Sequence, residues 1–188
     1  MNIDQNEVTK FAEQADKWWD KEGDFKPLHK INPLRASYIN DIVNLENKKF
    51  LDVGCGGGIL TEAIFDKGAF VTGIDAAGPG IETARIHAKK NSKNINYIVG
   101  TAEEFYEKND DRFDVVSCLE VLEHVPDPKS LIDVCTKLLK PGGDLFLSTI
   151  NKNPRSWVTA IVGAEYIFKI LPKGTHEYDK FIKPSKLA

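Results

Sequence analysis

The chain has 188 residues, of which 41% are hydrophobic and 28% are charged, and its formal net charge is -3. This size and balance fit one globular domain with an adequate core, and the mixed, slightly acidic charge excludes the basic footprint of a nucleic-acid-binding protein. Three cysteines without CxxC spacing suit a reducing compartment, and the acids of residues 1–20 argue against a targeting peptide, so we expect a cytoplasmic protein.

Residues 1–44 are expected to form a helical cap ahead of the first core strand. Residues 6–20 place aromatic side chains at helical spacing, which predicts one helix that either docks on the domain or covers a cofactor or substrate. A second helix is predicted from Pro33, at its first turn, to about Val43. Arg35 would then lie where the helix dipole disfavours a cation, so it is either a solvated side chain or a partner for a ligand carboxylate.

Residues 49–59 read KFLDVGCGGGI, an apolar strand that gives way to glycines where a helix should begin. Without Cβ atoms such a turn lets a ligand lie against backbone N–H groups, which makes Gly54 and Gly56 candidate cofactor contacts. The third glycine of the dinucleotide fingerprint would fall at position 59, which is isoleucine. Asp52 inside the strand would also repel a pyrophosphate. A ligand that carries positive charge fits this turn better.

Asp75 ends a second apolar strand, residues 70–75, about 20 residues after the glycines. At that offset an acid reaches the ribose hydroxyls of an adenosine. The alternative is an N-cap for the helix predicted over 81–91. The order of strand, glycine turn, helix over 59–67 and strand favours the ribose role.

The rest of the cofactor-binding core, expected over residues 45–150, continues the alternation. Strands are predicted over 95–99, 113–118 and 145–149, and helices over 102–108 and 129–139. Alternation of this kind implies a Rossmann-like α/β fold, a mostly parallel sheet with helices on both faces. Its ligand would lie at the carboxyl ends of the strands. Ala102 and Glu103 follow the third strand and can meet an adenine edge, although Glu103 could equally be a first-turn helix charge.

Glu120, Glu123 and His124 follow the fourth strand at spacing i, i+3, i+4. A single helical turn would put their side chains on one side. Three readings stay open: a site for Mg²⁺ or Mn²⁺, a general base at His124, or a solvent-facing turn with an incidental Glu–His pair.

Residues 157–172 are apolar with two interrupting charges, too short and too polar for a bilayer span. They could form a core helix, a lid over an apolar substrate or an element in the membrane interface. Residues 151–184 are therefore expected to be a lid or a membrane-contacting segment.

Several blocks of the sequence together resemble one family, the ubiquinone-biosynthesis O-methyltransferases of the UbiG type, which are class I S-adenosylmethionine-dependent methyltransferases. The glycine motif LDVGCGGG and KPGG are common to many methyltransferases. The blocks WWD, GDFKPLHKINPLR, LEVLEHVPDP and the stretch 157–184 are far more specific and span nearly the whole chain.

The resemblance implies methyl transfer from S-adenosylmethionine to a phenolic hydroxyl of polyprenylated catechol and demethylubiquinol intermediates. It implies cofactor contacts at positions matching Arg35, Gly54, Asp75 and Leu119. The implied metal ligands, for an ion such as Mg²⁺, match Glu120, Glu123 and His124. It also implies contact of the long apolar segment with membrane lipids, which would make the protein peripheral on the inner face of the cytoplasmic membrane.

The fold of this family normally finishes with two further strands, and the residues after 149 do not alternate like a strand pair. We therefore expect one methyltransferase domain that is short at its C-terminus and lacks those strands. An alternative function stays open, a non-catalytic cofactor- or lipid-binding module within a ubiquinone-biosynthesis complex.

Overall fold

A computed structural model describes residues 2–149, 151 and 182 of the chain. The strands are β1 (Lys49–Val53), β2 (Phe70–Asp75), β3 (Asn96–Val99), β4 (Phe113–Leu119) and β5 (Leu139–Ser148). The helices are α1 (Gln5–Glu13), α2 (Lys26–Val43), α3 (Ile59–Phe65), α4 (Gly78–Lys90), α5 (Ala102–Lys108) and α6 (Pro128–Leu138). Two short 3₁₀ turns cover Ala15–Lys17 and Leu122–His124.

The five strands form one sheet in the order β3-β2-β1-β4-β5, and every pairing between them is parallel. The chain moves outward from β1 through β2 to β3, then returns past β1 to β4 and continues to β5. The strand order thus reverses between β1 and β4, and a crevice for a ligand forms at the carboxyl ends of strands beside such a reversal. The expected parallel α/β sheet is confirmed.

Helices cover both faces of the sheet because the strands are apolar on both sides. Leu51 of β1 packs in a cluster with α5 and α6, whereas its neighbour Phe50 packs in a cluster with α2 and α3. Both side chains are fully buried. Each fully buried side chain of this size stabilises the fold by about 1.5–3 kcal/mol, so β1 anchors both layers.

The N-terminal helices differ from the prediction. Instead of one helix over 6–20, α1 ends at Glu13 and a 3₁₀ turn follows. The second helix begins at Lys26, not at Pro33, which lies inside it, while Pro27 takes the first-turn position. An internal proline leaves one carbonyl of the helix without its usual partner, but burial of residues such as Ile39 in the core holds α2 together. Arg35 is therefore in mid-helix, so the argument from a first-turn position is wrong.

The last described strand begins earlier than predicted. β5 starts at Leu139 rather than Leu145, and its pairing with β4 shifts register between Phe113 and Val115. Residues 157–172, the apolar stretch of the expected lid or membrane-contacting segment, lie outside the described residues. The prediction that the last two strands are missing also concerns residues outside the described part of the chain. Among the described residues, none of the helices combines the length and apolar character that crossing a bilayer requires.

Candidate functional site

A cavity of about 530 Å³ opens at the carboxyl ends of β1, β2 and β4. Helices α1 and α2 form its opposite wall, so the N-terminal cap belongs to the site. Every site residue that the sequence predicted lines this one cavity: Arg35, Gly54, Gly56, Asp75, Ala102, Glu103, Leu119, Glu120, Glu123 and His124.

The glycine turn after β1 has no room for side chains. Gly54 and Gly56 have φ angles of 74° and 52°, in the left-handed region that favours glycine. A Cβ on Gly54 would lie 2.2 Å from Cγ2 of Val121, and one on Gly56 would lie 2.3 Å from Cη2 of Trp18. The turn therefore keeps its backbone close to the cavity, and Trp18 packs directly against it.

Asp75 lies at the carboxyl end of β2, beside the glycine turn. Its Oδ2 accepts a hydrogen bond from the Gly56 N–H at 2.9 Å, and its Oδ1 accepts one from the Ala77 N–H at 2.7 Å. Burial raises the pKa of this carboxyl, and the two backbone bonds lower it. The N-cap of α4 is Ala77, so the N-cap reading of Asp75 is wrong. Each carboxylate oxygen has a second lone pair with which it can accept a ligand hydroxyl.

Asp52 is a buried carboxylate in the cavity wall, with 3% of its surface exposed. Its oxygens accept hydrogen bonds from the hydroxyls of Thr61 and Ser117, both at 2.7 Å. Burial raises the pKa of Asp52 from 3.8 to about 6, against the lowering effect of the two hydroxyls. Because it carries charge at neutral pH in an apolar setting, it favours a cationic ligand nearby.

Arg35 reaches from α2 to the end of β4. Its Nη2 donates to Oε1 of Glu120 at 2.8 Å, and the hydroxyl of Ser148 donates to the same oxygen at 2.7 Å. Glu120 has a φ of 58° and precedes the 3₁₀ turn. The single helical turn predicted for Glu120 and the two later residues is therefore wrong, because a residue in the left-handed conformation breaks the helix.

Glu123 and His124 lie on the 3₁₀ turn and make separate contacts. The hydroxyl of Thr149 donates to Oε2 of Glu123 at 2.8 Å. Burial and the neighbouring Glu120 carboxylate raise the pKa of Glu123 to about 7. His124 instead forms a hydrogen bond through Nδ1 with Oε2 of Glu7, at 2.8 Å.

The predicted metal ligands contact other side chains in the described part of the chain. Glu120 is engaged by Arg35, and His124 by the carboxylate of Glu7. Within the described part of the chain, no group of three or more His, Cys, Asp or Glu side chains is arranged to hold a metal ion.

The N-terminal segment reaches the residues that were predicted to meet an adenine edge, Ala102 and Glu103. Ala102 is buried at the start of α5, and Oε1 of Glu103 accepts a hydrogen bond from Nδ2 of Asn2 at 3.2 Å. Asn2 and Glu7 are cavity residues that the sequence reasoning missed. Nothing in their local sequence marks them as cavity residues, because the contacts that Asn2 makes with Glu103 and that Glu7 makes with His124 span more than 100 positions of the chain.

The charges around the cavity are unbalanced. Among the described residues that line it, eight are acidic: Asp4, Glu7, Asp24, Asp52, Asp75, Glu103, Glu120 and Glu123. Arg35 and His124 are the basic side chains of the same lining. This set would repel a dinucleotide, but it fits S-adenosylmethionine, which joins a sulfonium and an ammonium to a ribose.

Comparisons with known proteins agree with this geometry. A family model described as a methyltransferase domain matches residues 51–147. The ubiquinone biosynthesis O-methyltransferase of Saccharophagus degradans is 56% identical over 188 residues, which are all of this chain and 80% of that protein. The protein of the same name from Pseudomonas fluorescens strain Pf0-1 is 54% identical over 187 residues, 100% of this chain and 81% of its own length.

Solved structures show the same fold. Magnesium protoporphyrin IX methyltransferase from Synechocystis PCC 6803, with bound SAH, matches with a TM-score of 0.61 at 18% identity, over 85% of this chain and 68% of that one. A putative methyltransferase from Bacillus halodurans C-125 matches with a TM-score of 0.58 at 27% identity, over 71% of this chain and 60% of that one. The chain belongs to the ubiquinone biosynthesis O-methyltransferase family and is an S-adenosylmethionine-dependent methyltransferase.

Proposed function

We propose that the chain transfers the methyl group of S-adenosylmethionine to a phenolic hydroxyl of polyprenylated catechol and demethylubiquinol intermediates. The observation that carries this proposal is the convergence on one cavity of a ribose-type carboxylate, Asp75, and a histidine, His124. Asp75 ends β2 and His124 lies on the 3₁₀ turn after β4, so the two residues flank the point where the strand order reverses.

The cofactor end of the proposed site is built on β1 and β2. Asp75 would accept the ribose hydroxyls with the lone pairs that its backbone bonds leave open. Arg35 has five N–H donors, of which the described structure uses one on Glu120, so it can also bind a carboxylate. S-adenosylmethionine supplies a methyl group on a positively charged sulfur, which the surrounding acids favour.

His124 is the proposed general base. It would take the proton of the phenolic hydroxyl while that oxygen bonds to the methyl carbon. The bond between sulfur and the methyl carbon breaks and its electron pair stays on sulfur, so no covalent enzyme intermediate forms. The proton leaves His124 for solvent afterwards. A positioned base of this kind typically contributes about 10²–10⁴-fold to the rate.

The divalent-ion role of Glu120, Glu123 and His124 stays a prediction, and no step above depends on it.

We also propose contact with a lipid surface. The described residues offer an apolar stripe for it: Leu34, Tyr38 and Ile42 lie on one face of α2 and are 71%, 64% and 53% exposed.

Turnover of a short-chain prenylated catechol with S-adenosylmethionine tests the proposed reaction. Mass spectrometry should find the O-methylated product with the wild-type chain, and the variant His124→Gln should form it at least about 100-fold more slowly. If the wild-type chain binds S-adenosylhomocysteine but forms no product, the non-catalytic module is the better description.

Cosedimentation with phospholipid vesicles tests the lipid contact. The variant Leu34→Glu should reduce the bound fraction, whereas Ser37→Glu, on the same helix and equally charged, should leave it unchanged. Equal binding by the two variants would contradict a role for the stripe.

A further inference from the structure

The proposed base, His124, is bonded to a residue from the far end of the chain. Oε2 of Glu7, on α1, lies 2.8 Å from His124 Nδ1 across 117 positions of sequence. Glu7 is only 5% exposed although it is a glutamate on an otherwise polar helix. A carboxylate is seldom buried to this extent without a partner that holds it there.

The contact belongs to a wider junction between α1 and the loop that follows β4. The rings of Phe11 and His124 form a T-shaped pair, with centroids 5.1 Å apart and planes at 89°. Asn2 exchanges two hydrogen bonds with the backbone of Asp127, each at 2.8 Å. Three side chains of the N-terminal segment, those of Asn2, Glu7 and Phe11, thus hold this loop at His124 and Asp127, which makes the position of His124 depend on α1.

We infer that Glu7 is a positioning residue for His124, an inference that rests on the proposed function. A carboxylate can only accept, so the hydrogen bond requires that Nδ1 of His124 carries the proton. The unprotonated nitrogen of the neutral ring is then Nε2, the atom that can take a proton from a phenolic hydroxyl. The same carboxylate lies beside the positive charge that the ring gains when it does so.

The bond also sets the direction of the ring. A single hydrogen bond at Nδ1, together with the T-shaped contact with Phe11, restricts rotation of the imidazole. Glu7 is itself held from the other side, because Lys10 Nζ lies 3.0 Å from its Oε1. The second carboxylate oxygen is therefore presented to His124 by a fixed group, as orienting carboxylates are in other histidine sites.

Kinetics of the full chain test this role. Glu7→Ala should lower kcat on the order of 10- to 100-fold, while KM for S-adenosylmethionine and for the catechol stays within a few-fold of wild type. Glu7→Gln should recover most of the lost kcat, because its amide oxygen still accepts from Nδ1–H. Glu13→Ala, the loss of an exposed glutamate from the same helix, should leave kcat unchanged.

Nitrogen NMR of the imidazole gives a readout that does not depend on activity. With the His124 signals assigned by their loss in His124→Gln, wild type should show the tautomer protonated at Nδ1, and Glu7→Ala a mixture of the two tautomers. If wild type carries its proton on Nε2, or if Glu7→Ala keeps wild-type kcat, the inference is wrong. If wild type has no turnover, the proposed function fails, and the tautomer still decides whether Glu7 positions His124.

Discussion

Replacement of Asp75 by alanine is the most direct test of the cofactor site. The variant removes a half-buried carboxylate whose two oxygens each have one lone pair available for a ribose hydroxyl. A hydrogen bond to a charged group contributes about 1.5–3 kcal/mol. The dissociation constant of S-adenosylhomocysteine should therefore rise about 10- to 150-fold, measured by isothermal titration calorimetry.

The same change also affects folding, so the assay needs two controls. Alanine leaves the buried N–H groups of Gly56 and Ala77 without their acceptor, which costs about 1–3 kcal/mol each, and the melting temperature should fall. Asp41→Ala, the loss of an exposed acid, controls for net charge. A 2′-deoxy analogue of the ligand separates the two effects, because it should lose less affinity than the parent compound when Asp75 is replaced. Equal losses for both ligands would refute a ribose contact.

Three further predictions follow from the described contacts. Gly54→Ala should abolish measurable cofactor binding in calorimetry because its Cβ would overlap Val121, and Val121→Ala in the same chain should restore part of the binding; no rescue would contradict the steric reason. Burial raises the pKa of Asp52 from 3.8 to about 6. Protonation of Asp52 therefore stabilises the folded state relative to the unfolded state, and this stabilisation is fully present below pH 3.8 and is lost as the pH rises through 6. Between pH 4 and 7 wild type should lose about 2 kcal/mol of unfolding free energy relative to Asp52→Asn in urea titrations, and parallel curves would contradict this. Arg35→Ala should weaken S-adenosylhomocysteine binding at least about 10-fold, and full affinity in this variant would contradict a carboxylate contact. Arg35→Lys should recover only part of the affinity, because lysine cannot form the bidentate pair of an arginine; full recovery would contradict that geometry.

The sheet and its helices could be predicted because their signals are local. Apolar strands that end in glycine or a carboxylate, alternating with helical patterns, specify a parallel α/β sheet wherever they occur. The N-terminal helices were predicted less well for a physical reason. Pro33 looks like a helix start in the sequence, but burial of α2 against the core outweighs the hydrogen bond that the proline removes.

The residues of the site were predictable where a motif fixes them to the end of a strand. Gly54 and Asp75 are of this kind, since their strands pair directly in the sheet. The partners of the later residues were not predictable. Glu120 adopts a left-handed backbone conformation that its neighbouring residues do not predict. The hydrogen bond between Glu7 and His124 forms only when α1 packs across the cavity in the folded chain.

The buried acids of the cavity lower the stability of the folded chain when they are charged. Burial raises the pKa of both Asp52 and Glu123 above their ordinary values, which means that their charged forms destabilise the folded chain at neutral pH. A ligand with positive charge would relieve that cost, whereas a neutral or anionic ligand of the same size would not. The cost of these buried carboxylates is therefore an argument, independent of sequence likeness, for a ligand that carries positive charge, as S-adenosylmethionine does.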